Sequence, residues 1–336
     1  MAHELDFSKK FAAVAYTNAK PWHGLGQKMV EGQPLEIWLQ QSGLNYTVKE
    51  SPIQYNIGDN VDTPKLATSK NKKVLFRDDN FEELGIVSLG YNVVQPKEII
   101  FFFESLIKDL GFKMNTAGVL LKGKKVWGLA ELPLNFTLQD GDQVNGYLLL
   151  STSYDGSFAT TCQVTSIRVV CNNTLTLSLD KESHDHVIKV NHLNQFKPET
   201  VKVEMGLIEE KWSNFESFCN KLSQTKVNTS ERHQIFESII GYDDKVQYNT
   251  IEDINKNKRE TVKLLNYLYY NGKGQQMEST KDTAWGVLNA VTLYADYYRG
   301  LNPSQVTSSP GRTHKVLFGS GNSLKQKAVQ ALLPLI

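Results

Sequence analysis

The sequence is poor in cysteine, with Cys162, Cys171 and Cys219 the only three in 336 residues. No two of them form a C-x-x-C pair, which excludes a zinc knuckle or a dithiol redox motif. A sparse, odd set fits a reducing compartment. Long apolar runs are also missing. "MAHELDFSKKFAAVAY" contains no signal-like apolar stretch, and "EIIFFFESLI" falls well short of the roughly 20 residues a membrane span needs. A cytoplasmic protein with no membrane partner is the expectation. Charge of one sign is lacking too: 37 Lys and Arg face 36 Asp and Glu. That balance argues against a wholly cationic duplex-binding surface and leaves only a local basic patch. Repeats and low-complexity tracts are absent.

What is there reads as a globular chain. Hydrophobic residues make up 40%, enough for a sizeable core. Residues 1–180 look α+β. "NYTVKESPIQY" reads as a strand, and "KKVLFRDDNFEELGIVSL" as two strands around an acidic turn. Pro96 opens a helix that Gly111 closes, with Ile99, Phe102, Phe103, Leu106, Ile107 and Leu110 at buried-face spacing. "AGVLLKGKKVWGLAELP" has the pattern of a hairpin. "GYLLLSTSYDGSFATTCQVTSI" is a second, in which Asp155-Gly156 suits a type I′ turn.

In "SIRVVCNNTL", Ile167, Val170, Cys171, Thr174, Leu175 and Ser178 recur at helical spacing. The expectation is a helix over 166–179 capped by Thr165 or Ser166. Helix propensity is poor there, and a strand is the alternative. Residues 181–200 read as a polar connection. Residues 201–336 read as helical and packed on the first part. The expected fold class is α+β: an N-terminal antiparallel, hairpin-rich sheet with packed helices, followed by an all-helical C-terminal half.

Several blocks stand in a distinctive order: "PWHGLG", "GYNVVQPKE", "AGVLLKGKKVWGLAELP", "TSYDGS", "IRVVCNNTL", "TAWGVLNAVTLYAD" and "FGSGNSLKQKA". This series resembles the phage/plasmid-like protein family, also called the domain-of-unknown-function 932 family, across essentially the whole chain. The resemblance implies a product of a phage, prophage or plasmid, and with it the cytoplasm of a bacterial host. It supplies no reaction and no catalytic set.

The candidate sites have both functional and structural readings. His23 with Gly24 and Gly26 in "PWHGLG" is a base beside a backbone cradle, or a tight turn against the core. Lys122, Lys124 and Lys125 mark a basic hairpin tip beside Trp127. That set would meet phosphates and stack on a base, or simply keep the turn soluble. Lys72, Lys73 and Arg77 in "NKKVLFR" would extend the patch, but the acidic "DDNFEE" follows directly. Arg168 with Asn172 and Asn173 would bind an anion, or tie the hairpin to its neighbour.

Lys325 and Lys327 in "GSGNSLKQK" would add positive charge, although the spacing is not that of a phosphate loop. His184, Asp185, His186 and His192 lie close in sequence, in a polar context that does not argue for a metal site. No catalytic residue, metal or cofactor is implied. The expected role is non-enzymatic nucleic-acid binding, with single-stranded DNA in recombination, replication or repair as the ligand. The alternative is a protein-interaction factor acting on a host defence or replication component. An oligomer is compatible with either.

Overall fold

The computed structural model describes residues 5–8, 11–17, 25–59, 64–168, 173–176, 187–199, 208–241, 252–299 and 320–336. In chain order the strands are β1 (Val14–Tyr16), β2 (Gln27–Lys28), β3 (Val48–Asn56), β4 (Leu66–Arg77), β5 (Glu83–Ser88), β6 (Lys113–Leu120), β7 (Lys125–Leu138), β8 (Asp142–Ser153), β9 (Thr160–Arg168), β10 (Asn173–Thr176) and β11 (Val187–Val190). The helices are α1 (Leu35–Gln41), α2 (Pro96–Phe101), α3 (Phe103–Leu110), α4 (Ile208–Gln224), α5 (Thr229–Ile240), α6 (Glu252–Asn271), α7 (Ala284–Leu293) and α8 (Ser320–Leu332).

An eight-stranded sheet runs in the order β10-β9-β8-β7-β6-β1-β2, with β11 also on β9, and a separate three-stranded sheet runs β3-β4-β5. All pairings are antiparallel except β1 with β2.

The chain is α+β, but the expected all-helical C-terminal half is overturned. Most helices do lie late in the chain, yet the large sheet keeps taking strands up to Val190. Of the helix expected over 166–179, the described residues 166–168 and 173–176 are strand instead. Thr160–Arg168 is a strand, with β8 on one edge and two short strands on the other. β10 pairs with Thr165–Arg168 and β11 with Thr160–Gln163, so that edge is shared between them. β11 falls inside the stretch read as a polar connection. The physical reason is that Val, Thr and Ile favour the pleated surface, and a long central strand recruits them into its ladder. Helical spacing of apolar residues was present without helix-forming residues to sustain it.

Two cores share one long hairpin. The first gathers Trp38, Leu75, Leu84, Ile99, Phe103, Val119 and Leu148 between the sheets and α1–α3. The second gathers Phe136, Trp212, Phe215, Leu222, Phe236, Trp285 and Leu332 among the later helices. β7 spans both, and its register shifts between Glu131 and Asn135, where it passes from one core to the other. α4 lays Trp212 and Phe215 against Phe136, with ring centroids 5.5 and 5.8 Å away. Gly146 of β8 leaves room for this: a Cβ there would come 3.0 Å from the Trp212 ring.

Local details differ from the sequence pattern at two points. Leu110 is 57% exposed, so the buried face of α2–α3 stops at Leu106 and the half-buried Ile107. Asp155-Gly156 is not a two-residue type I′ turn. Gly156 has φ 73° while Asp155 has no positive φ, and a six-residue loop separates Ser153 from Thr160. Helix α5 is capped by Asn228, whose side chain accepts from the Glu231 amide at 3.0 Å. No described helix is long and apolar enough to cross a membrane.

Candidate functional site

The lysine hairpin is the best-defined of the candidates, and it is a docked turn rather than a free finger. Leu121, Lys122 and Gly123 have φ of 52°, 59° and 110°. Left-handed backbone at the two non-glycine positions costs about 1 kcal/mol each. Arg77 holds the turn from beneath: its Nη1 donates to the Lys122 carbonyl at 3.3 Å, and the Tyr46 hydroxyl donates to the Gly123 carbonyl at 3.2 Å. Gly123 is needed there, since a Cβ would lie 2.9 Å from Arg77 Cδ in a left-handed conformation.

Arg77 is itself fully buried. It bonds Asp6 at 2.6 Å and Asp79 at 2.8 Å, and its guanidinium lies 4.0 Å above the Tyr46 ring centroid. Burial works against its charge, but the hydrogen bonds to Asp79 and Asp6 outweigh burial and raise its pKa. Burial likewise pushes the Asp6 carboxyl up, and the hydrogen bonds from Ser8 and Arg77 overcome this and leave it below its ordinary value.

These contacts decide which lysines face water. Lys122 is exposed and pairs with Glu82 at 3.0 Å. Lys124 is half-buried. Lys125 is 7% exposed, with Nζ 5.6 Å above the Phe158 ring. Trp127 is 4% exposed, and its indole N–H donates to Thr116 Oγ1 at 3.3 Å, so it is a core residue in this conformation. Lys325 lies in the other core, on α8, buried in an ion pair with Asp296. Lys327 is exposed on the same helix. Arg168 and Asn173 are paired residues of β9 and β10. Asn172 lies outside the described residues, as do His23, Gly24, His184, Asp185, His186 and Cys171. Among the described residues, the sequence-derived candidates are not gathered into one patch.

The structure gathers other residues instead. A cleft of about 410 Å³ lies along the Ile86–Ser88 half of β5, lined by Lys72, Ile86, Tyr91, Phe158, His192 and Leu193, with Asp155 and Asn191 beside them. His192 stacks on Tyr91, with ring centroids 4.2 Å apart and planes at 17°. Its Nε2 faces the Phe158 carbonyl at 3.1 Å and its Nδ1 the Asn92 carbonyl at 3.4 Å. A neutral imidazole donates from only one nitrogen. Burial lowers the pKa of His192, and the two carbonyls only partly offset this.

A base whose folded pKa is depressed contributes stability that is full above its unfolded value, about 6.5, and is lost as pH falls below it. We expect the melting temperature to drop between pH 7 and pH 5 and His192→Gln to flatten that slope. A slope unchanged in the variant would refute the assignment. His192 was visible in the sequence, but its partner Tyr91 is 101 positions earlier, so no local pattern marks the pair.

The remaining chemistry is quiet. Burial pushes the Cys162 and Cys219 thiols well up, which leaves them unreactive packing groups. Among the described residues no three His, Cys, Asp or Glu side chains converge as a metal site.

A second surface feature is the ribbon formed by β3 and the first half of β4. β5 pairs only with Lys72–Phe76, so beyond a register shift at Pro52/Gln54 the strands pair only with each other. Lys49, Lys65, Lys70 and Lys72 are exposed on and around it, and Tyr55, Ile57 and Leu66 are 53%, 53% and 55% exposed.

Comparison with curated proteins and with solved structures gives no match. A family profile described as "Domain of unknown function (DUF932)" matches residues 83–317. That span takes in β5, the docked hairpin, the long β7–β8 hairpin and α4–α7, and it establishes that the chain belongs to the DUF932 family.

Proposed function

We propose that the protein binds single-stranded nucleic acid without catalysing a reaction, as a factor in recombination, replication or repair, and that the β3–β4 ribbon makes the contact. The observation that carries this reading is the exposed ring of Tyr55 beside exposed Lys65 and Lys70 at the two-stranded end of the β3–β4 hairpin, with exposed Lys49 and Lys72 continuing the charge where β5 joins the sheet. Lysines track a phosphate backbone, and an aromatic ring accepts a base in a sequence-tolerant way. An isolated two-stranded ribbon is marginal in water, so one bearing apolar residues outward gains by covering them. The likeness to phage and plasmid products supplies a setting in which single strands are handled. Of the hairpin lysines only Lys124 and the Glu82-bound Lys122 remain near the surface, so the ribbon replaces the hairpin as the main contact.

The test is fluorescence anisotropy of a labelled single-stranded oligonucleotide across a salt series. Binding should weaken with salt, and the Lys49→Glu/Lys65→Glu/Lys70→Glu variant should lower the log–log salt slope by about 2, roughly 0.7 per phosphate contact. Absence of binding at low salt would refute the reading, as would a triple variant that binds like wild type. The protein-interaction reading then takes its place. It is favoured by Tyr267 and Tyr270, which are 60% and 48% exposed on α6.

A further inference from the structure

Phe81 breaks the rules of its own turn. It joins β4 to β5 with φ 60°, a left-handed conformation that favours glycine or asparagine. The turn around it is well made without its side chain. The Arg77 amide donates to the Glu82 carbonyl at 3.1 Å, the Phe81 amide to the Arg77 carbonyl at 3.1 Å, and the Glu82 amide to Asn80 Oδ1 at 3.0 Å. The ring contributes nothing to the core: at 78% exposure, Phe81 is the most exposed large apolar residue among those described. A strained, fully presented aromatic is what a binding hot spot looks like before it docks. Its neighbours Asp78, Asp79, Glu82 and Glu83 make the turn acidic. Asp79 and Glu82 are engaged by Arg77 and Lys122, which leaves Asp78 and Glu83 to set its sign.

The chain carries a receptor of matching chemistry. The cleft at the Ser88 end of β5 has apolar walls in Ile86 and Leu193, which are 54% and 64% exposed, with Phe158 beside them. Its rim carries Lys72, which makes no ion pair among the described residues. Asp155 is also there, and its carboxylate accepts from the Ser157 amide at 3.0 Å. At about 410 Å³ the cleft has ample room for one phenyl ring, since about 150 Å³ suffices for benzene.

Knob and cleft sit at opposite ends of β5, a six-residue strand at the edge of its sheet. At about 3.3 Å per residue that strand is roughly 20 Å long. A two-fold axis across its middle would run two copies of β5 antiparallel and bring each acidic turn to the other copy's lysine rim. Such a contact is self-complementary and closes as a dimer. We propose that Phe81 is a docking knob that seats in the cleft of a second copy of this chain.

The test is sedimentation equilibrium of the full chain over a concentration series. Wild type should dimerise. Phe81→Gly relieves the left-handed strain, so it should fold with an unchanged or higher melting temperature while its dimer dissociation constant rises about 30-fold or more. Leu193→Glu should weaken the dimer in the same way from the cleft side. A Phe81→Cys/Leu193→Cys chain should form an intermolecular disulfide on oxidation, and neither single variant should. A wild type that stays monomeric at its highest soluble concentration overturns the proposal. So do dimers that survive both Phe81→Gly and Leu193→Glu. Lys49, Lys65 and Lys70 do not line the cleft, so strand binding and self-association are tested by separate residues.

Discussion

Replacing Arg77 with alanine is expected to remove about 3–5 kcal/mol of folding free energy. The side chain is 0% exposed and holds Asp6, itself 1% exposed, at 2.6 Å. Without the guanidinium, that carboxylate is buried with no counter-charge, which is the expensive half of breaking a buried pair. The substitution also removes the 4.0 Å contact with the Tyr46 ring and the bond to the Lys122 carbonyl that helps hold the left-handed hairpin turn. The N-terminal segment, the three-stranded sheet and the β6–β7 hairpin therefore loosen together.

Urea denaturation followed by tryptophan fluorescence measures the loss. A fall of less than about 1 kcal/mol, the worth of a surface ion pair, would show that the network does not hold these elements. The double variant Asp6→Leu/Arg77→Met provides the control. Replacing a buried pair by apolar groups of similar volume is often close to neutral, so the double variant should recover much of what the single variant loses.

The second large effect is expected at Asp142, which ties the sheet to the helical core. It is the first residue of β8 and is 0% exposed. Its Oδ2 accepts from Ser279 Oγ at 2.7 Å and from the Trp285 indole N–H at 3.0 Å, the latter on α7. Asp142→Ala leaves both donors buried and unanswered, at about 1–3 kcal/mol each, and opens a cavity. We expect a total loss of about 3–5 kcal/mol. Adding Ser279→Ala and Trp285→Phe removes the orphaned donors, so the triple variant should be more stable than a sum of independent losses predicts. Strict additivity would show that the three residues do not act as one unit.

Much of the architecture follows from local sequence. Pro96 at the first helical turn, the acidic turn after Arg77 and the alternation around Lys122 each place an element by chemistry within a few residues. The helical seam Trp212, Phe215, Cys219 and Leu222 is equally legible, because there the 3.6-residue period is carried by helix-forming Glu, Lys and Leu. The stretch 166–176 is different. Its apolar spacing suits a helix and its residue types suit a strand, and the free edges of a long β9–β8 ladder settle the matter by offering backbone hydrogen bonds. β11 is invisible for the same reason: Val187–Val190 is a strand only because Thr160–Gln163 has an unpaired edge.

Side-chain exposure was still less legible. Nothing near Lys325 in sequence reveals that Asp296 neutralises it in the core, and nothing near Lys125 or Trp127 reveals that each is covered by neighbouring strands and loops. A lysine is soluble or buried according to partners that are distant along the chain. The amino-acid sequence by itself determined most of the element types, the near-neutral charge balance and the family, because these depend on local propensity, composition and ordered blocks. Tertiary structure alone decided which cations meet water and which edge recruits a strand. It also decided that Phe81 faces outward near one end of a strand whose other end meets the cleft. All three depend on burial and on contacts between residues tens to hundreds of positions apart.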